Sequence, residues 1–244
     1  MELSTGIPHT IPQRIHVMSN FARKLRNWLF KDLVRQSDLD ALYTQIAGHF
    51  QIQNSIYGGP ILRPLRGWAI SPDAIAWVLA ALQERSAPTL VEFGSGQSTV
   101  ILSSVLKRHG GRLLSVEHDL GYLETIRRQI GACELSEKVE FFHSPLRPNE
   151  SLGGQFSYDV TILPDVPIDI ALIDGPPSAN ALLTRLPPLR WSVRHLKPGG
   201  SVFLDDTLRE GEQACLQHIQ KEFSNLKMLS RETEKGLVEI VGLL

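Results

Sequence analysis

Val91-Glu92-Phe93-Gly94-Ser95-Gly96-Gln97-Ser98-Thr99 decides how this chain is read. The apolar run Thr89-Leu90-Val91 leads into an acid and then into a tight glycine turn. A helical pattern follows, and the next apolar run, Leu113-Leu114-Ser115-Val116, ends in Glu117. The order is strand, glycine turn, helix, second strand, terminal carboxylate. Glycine lets a backbone approach a ligand closely, and a helix N-terminus presents free N–H groups. A carboxylate at the tip of the second strand is placed to accept both hydroxyls of a ribose.

The alternation continues downstream. Residues 89–93, 112–117, 138–142, 168–173 and 200–205 read as strands, and 98–109, 119–131, 179–195 and 208–223 as helices. Most of these strands are nearly continuous apolar runs, as expected of a parallel sheet covered on both faces. Leu226 to Ser230 and Leu237 to Leu243 bracket a polar turn and read as a hairpin, so the last strand should run antiparallel. Pro187-Pro188 is expected to break the third helix. Arg147 to Pro167 carries Pro148, Gly153, Gly154, Pro164 and Pro167 without a helical period. It reads as an irregular loop or short hairpin at the edge where ligands bind.

Upstream, residues 1–65 read as an N-terminal helical extension and 66–244 as the main domain. Ser37 is placed to cap a second helix, Asp38 to Gly48, before the turn-rich Asn54-Ser55-Ile56-Tyr57-Gly58-Gly59-Pro60. Ser71-Pro72-Asp73 is a helix start, with a capping hydroxyl, proline in the first position and an acid in the first turn. Trp68 and Tyr57 read as core or hinge residues rather than as a platform for a ligand. Residues 1–36 carry six basic side chains against two acids, Glu2 and Asp32. In that arm Phe21, Leu25, Trp28, Leu29 and Leu33 recur at helical spacing. Packing on the main domain or on a second subunit, as a lid or homodimer contact, is preferred over lying on an anionic membrane.

The whole chain has 244 residues and a net charge of −1, so it lacks the strongly basic domain of a dedicated nucleic-acid binder. Its two cysteines, Cys133 and Cys215, offer no metal-ligand spacing. No apolar run is long enough to span a bilayer and no signal peptide is evident, so the cytoplasm is the default compartment.

At this point the sequence resembles the class I S-adenosylmethionine-dependent methyltransferases, over about residues 71–244. The resemblance implies an α/β, Rossmann-like doubly wound sheet with a C-terminal antiparallel hairpin. Glu92-Phe93-Gly94-Ser95-Gly96 is similar to the family's first motif, which holds the methionine end of the cofactor, with Ser98 where a third glycine would stand and Thr99 beside it. Glu117 matches the ribose-binding acid, and His118 follows it near the expected adenine. His143-Ser144, after the third strand, sits where the family contacts the adenine ring. Asp174, in Leu172-Ile173-Asp174-Gly175-Pro176-Pro177, matches the fourth motif and would stand near the transferred methyl as cofactor contact and catalytic group.

Parallel strands end on one edge, so Asp174, Asp205 and Asp206 should converge beside the methyl. Three such acids repel one another unless a cation joins them, and oxygen ligation suits magnesium or another hard divalent ion. The arrangement resembles metal-dependent O-methyltransferases of the catechol and macrolide-sugar type, and implies a small hydroxylated acceptor, a sugar or a phenol. The place where such enzymes carry a lysine or acid as base holds Gly175-Pro176-Pro177 here. The alternatives are a metal-independent methyltransferase, a nicotinamide dehydrogenase and a non-catalytic cofactor-binding scaffold. An Asp-Asp pair after a strand is also an ordinary helix cap.

Overall fold

Seven strands order as β3-β2-β1-β6-β7-β9-β8 in the main sheet. They are β1 (Thr89–Phe93), β2 (Arg112–Glu117), β3 (Val139–His143), β6 (Ile168–Ile173), β7 (Leu196–Asp205), β8 (Leu226–Arg231) and β9 (Leu237–Gly242). This computed structural model describes residue 24 and residues 37–56, 64–65, 67–177 and 182–242. The chain divides into two compact units, Met1–Thr44 and Gln45–Leu244, and the sheet lies in the second.

The strands from β3 to β7 pair parallel, and β9 pairs antiparallel with both β7 and β8. The doubly wound sheet and its antiparallel C-terminal hairpin are as the sequence predicts. The chain leaves β1 toward β2 and β3, then returns to β6 on the other side of β1. A crevice therefore opens at the carboxyl ends of β1 and β6, where open α/β sheets bind ligands.

Each face of the sheet is covered. On one side α2 (Pro72–Gln83) and α3 (Gln97–His109) bury Ile75, Leu79, Ile101 and Leu102 against Leu90, Ile170 and Phe203. On the other, α5 (Leu186–His195) and α6 (Glu210–Glu222) bury Leu189, Trp191, Cys215 and Ile219 against Phe93, Ile173 and Val202. Each strand feeds both faces, as side chains alternating across buried strands require. α4 (Leu120–Ala132) covers the β2–β3 side, capped by Asp119, whose Oδ1 accepts Tyr122 N–H at 2.7 Å.

Several expectations change. The second N-terminal helix does not stop at Gly48: residues 37–55 are one helix, α1. A Cβ at Gly48 would lie 2.6 Å from the Pro72 carbonyl, so this glycine marks a close helix crossing rather than a terminus. Ser71 holds the N-cap position of α2 but makes no capping hydrogen bond. Pro187-Pro188 do not break a helix. They stand in the first turn of α5, where a missing N–H costs nothing, and 182–185 is a turn. β7 starts at Leu196, because Lys197-Pro198-Gly199-Gly200 bulges within the strand between pairings Ile168↔Leu196 and Ile170↔Ser201. The helix-less crossover forms the small hairpin β4 (Arg147–Asn149) and β5 (Gln155–Ser157). The basic apolar-striped arm and Tyr57 lie outside the described residues. Among the described residues no helix is long and apolar enough to cross a membrane.

Candidate active site

The crevice is a cavity of about 640 Å³, of the size that holds a nucleoside-bearing ligand. The tips of β1, β2, β6 and β7 form its floor. Gly94, Ser95, Gly96, Ser98, Glu117, His118, Asp174 and Asp206 all line it, as do Tyr122, Tyr158, Arg185, Arg209 and Lys235. Glu92, Thr99, His143, Ser144 and Asp205 are not among the residues that line it.

Glu92 is fully buried and shapes the glycine turn. Its Oε2 accepts hydrogen bonds from Thr99 Oγ1 (2.6 Å) and Ser115 Oγ (2.9 Å), and Thr99 Oγ1 in turn accepts Gly96 N–H at 2.8 Å. Burial pushes the Glu92 carboxyl up to about 7. Gly94 has φ +102°, and a Cβ there would sit 3.0 Å from Gly175 N and 3.2 Å from the Asp174 carbonyl carbon. Its conformation and its contact with the β6 tip demand glycine. Gly94 also lines the cavity.

Glu117 is held by backbone. Oε1 accepts His118 N–H and Asp119 N–H at 2.8 and 2.9 Å, and Oε2 accepts Ser95 N–H at 3.1 Å. The carboxylate thus faces the cavity in a fixed pose, with the Ser95 bond tying the β2 tip to the glycine turn. His118 Nδ1 lies 2.7 Å from Glu117 Oε1, and this contact raises the imidazole pKa despite partial burial. His143 is exposed and its Nε2 lies 3.1 Å from the His118 carbonyl. Ser144 Oγ accepts Asp159 N–H at 2.8 Å, so its hydroxyl fixes the crossover loop instead of facing the cavity.

Asp174, Asp205 and Asp206 do converge: one carboxylate oxygen from each lies within 4.8 Å of the other two. Both oxygens of Asp205 and Oδ1 of Asp206 are buried without a hydrogen-bond partner among the described residues. Burial and the facing Asp205 push the Asp174 carboxyl well above the usual range; burial and Asp206 push Asp205 up as well. Asp206 is held at φ +62°, a left-handed conformation that marks local strain.

Arg185, 2% exposed, is the residue that sequence reasoning missed. It donates to the carbonyls of Asp174 (2.9 Å), Pro176 (3.2 Å) and Asp205 (3.1 Å) and to Asp206 Oδ2 (2.9 Å), and its Nε lies 3.4 Å from Glu212 Oε1. It cross-ties the ends of β6 and β7 under the acid cluster. Its signal was present: it is the one charged residue in Leu182-Leu183-Thr184-Arg185-Leu186-Pro187-Pro188-Leu189. Arg209 Nη1 adds a second contact to Asp206 Oδ2 at 2.8 Å. At the mouth, Lys235 Nζ donates to the carbonyls of Gly67 and Ala69 at 2.9 and 2.7 Å, holding Trp68 between them. Trp68 is 79% exposed, so it is not a core residue but part of the cavity rim.

Residues 91–207 match the family model described as "Methyltransferase domain". No curated protein is matched by sequence. Among solved structures, an O-methyltransferase from Bacillus cereus, solved with SAH, is 18% identical with a TM-score of 0.52, covering 80% of this chain and 90% of that one. TomG, an O-methyltransferase of tomaymycin synthesis from Streptomyces achromogenes solved with SAM, is 17% identical with a TM-score of 0.51 and the same coverages, 80% and 90%. A methyltransferase from Pyrococcus furiosus is 18% identical with a TM-score of 0.52, covering 84% of this chain and 95% of that one. At such identities the likeness is one of fold.

Proposed function

We propose that this S-adenosylmethionine-dependent methyltransferase acts on oxygen, methylating a hydroxyl of a small molecule with the help of a divalent cation, magnesium by ligand chemistry. One observation carries the reading. Three carboxylates meet at the carboxyl ends of β6 and β7, two of them lining the cavity, and three of their buried oxygens lack a hydrogen-bond partner among the described residues. Unpartnered buried carboxylate oxygens are costly, and a hard cation is the group that such a donor set fits. Asp174, Asp205 and Asp206 would hold it.

S-adenosylmethionine supplies an electrophilic methyl on a sulfonium, whose positive charge vanishes as the methyl leaves. When bound, a divalent ion lowers the pKa of a coordinated hydroxyl. The remaining work falls to this chain's own groups. Glu117, with its pose fixed by three backbone N–H groups, is the acceptor for the ribose hydroxyls. Asp174 and Asp206 are the acids of the cluster that line the cavity, and Asp174, at the β6 tip, is the group to take the hydroxyl proton. Trp68 and Ile70 offer an apolar wall at the rim for the body of the acceptor. Alignment of nucleophile and methyl at about 3 Å supplies several kcal/mol of the barrier.

A metal-independent reading has one observation in its favour: Arg185 and Arg209 already neutralise Asp206 Oδ2. Titration of the protein with Mn²⁺, with and without S-adenosylhomocysteine, separates the two. Saturable binding that is lost in Asp205→Asn supports the cation; no binding by the wild type refutes it. Incubating labelled S-adenosylmethionine with a panel of phenols and sugars, with and without chelator, then tests the acceptor. Mass spectrometry should locate the methyl on oxygen; a methyl found only on nitrogen or carbon would refute the O-methyl assignment.

A further inference from the structure

Tyr158 carries the most conspicuous unexplained group in the cavity. Its hydroxyl is buried and has no hydrogen-bond partner among the described residues, while the residue lines the cavity. Leaving a hydroxyl dry and unpaired costs free energy, so its persistence asks for an explanation.

The side chain is held on every side. Ser157 Oγ donates to the Thr184 carbonyl at 2.6 Å, and Asp159 N–H donates to Ser144 Oγ at 2.8 Å, so both chain neighbours are fixed. The ring tilts against Phe93 at 5.8 Å and meets His118 edge-on at 6.1 Å. Glycine stands opposite the hydroxyl: a Cβ at Gly175 would fall 2.5 Å from Oη. The hydroxyl is thus aimed at the β1–β6 seam, between the β2 tip, where Glu117 stands, and the β6 tip, where Asp174 stands. Burial and the nearby Glu117 charge push the phenol pKa well up, so the group stays a neutral hydroxyl that can both donate and accept.

We propose that Tyr158 is a cofactor-binding residue whose hydroxyl completes its hydrogen bonding with the amino-acid arm of the bound S-adenosyl ligand. This rests on the assignment of the cavity to S-adenosylmethionine. The arm is the polar part of that ligand that the glycine turn and the β6 tip would face. Its ammonium suits a neutral oxygen set among carboxylates.

Tyr158→Phe removes one oxygen and tests the assignment with opposite signs. Melting of the ligand-free protein should be unchanged or higher, because an unpaired polar atom is gone. Calorimetry should show S-adenosylhomocysteine binding weakened at least fivefold. 5′-Methylthioadenosine, which lacks the amino-acid arm, should bind wild type and variant alike. Unchanged S-adenosylhomocysteine affinity, equal losses for both ligands, or a ligand-free protein several degrees less stable would each overturn the proposal. A wild type that binds neither ligand would instead refute the cofactor assignment on which it rests.

Discussion

Glu92 gives the sharpest test of how the glycine turn is built, through the pH dependence of stability. Its carboxyl is fully enclosed, with Oε2 bonded to Thr99 and Ser115 and Oε1 without a hydrogen-bond partner among the described residues. Burial dominates, and the pKa rises from the ordinary 4.5 to about 7. A carboxyl raised on folding stabilises the protein fully below the unfolded value. That stability is lost as pH climbs toward the folded value, because the unfolded state ionises first. The gap from 4.5 to about 7 corresponds to about 3 kcal/mol, at about 1.36 kcal/mol per pH unit. Glu92→Gln cannot ionise. Its stability relative to wild type should therefore rise by about 3 kcal/mol between pH 4 and pH 8.5. Any fixed cost of the amide is independent of pH and cancels from that change. Urea unfolding followed by tryptophan fluorescence at several pH values measures it. Parallel pH profiles for the two proteins would mean that Glu92 stays charged when folded, and the account of the turn would be wrong.

Other substitutions probe the same edge. Glu117→Gln should weaken S-adenosylmethionine binding at least tenfold, about 1.4 kcal/mol, by calorimetry; an unchanged affinity would remove Glu117 from the ribose site. Gly94→Val should destabilise the fold by about 3 kcal/mol or more, from a positive φ and collision with the Asp174–Gly175 backbone, and thermal melting should show it. Gly48→Ala should destabilise by about 1–3 kcal/mol despite alanine's better helix propensity, because the added methyl meets Pro72; a more stable variant would deny the close crossing. Asp205→Asn should leave S-adenosylhomocysteine affinity within about threefold while abolishing Mn²⁺ binding, since Asp205 is not among the residues lining the cavity.

The sheet was legible because its strands carry their own signal. A doubly buried parallel strand must be apolar along its length, and β1, β2 and β6 match the apolar runs residue for residue. What misled was local chemistry whose meaning depends on a partner. Gly48 looks like a helix end until Pro72 is set against it. Pro187-Pro188 look like a break until the preceding residues prove to be a turn, after which the same prolines start a helix. The Lys197-Pro198-Gly199-Gly200 turn is absorbed into β7 because the neighbouring strand tolerates a bulge.

The site divides along the same line. Strand order alone brings Asp174, Asp205 and Asp206 together, since acids that close adjacent parallel strands share an edge. The sequence therefore held that cluster in plain view. It did not hold the directions of side chains. His143 and Ser144 end β3 in the expected place, yet one turns outward and the other spends its hydroxyl on Asp159. Nor did it hold the residues that reach the edge from elsewhere. Arg185 comes from the turn before α5, Tyr158 from the crossover without a helix and Lys235 from the β8–β9 turn. No periodic pattern announces any of them. Two of them, Arg185 and Lys235, follow one physical rule, each placing a positive charge near the acids. An edge that gathers the buried acids Glu92, Glu117, Asp205, Asp206 and Glu212 must recruit cations from whatever segments pass near it. In an α/β sheet those segments are the loops at the carboxyl end. The supporting groups of such a site are therefore best sought as lone charged or hydroxyl residues in otherwise apolar or turn-rich connections.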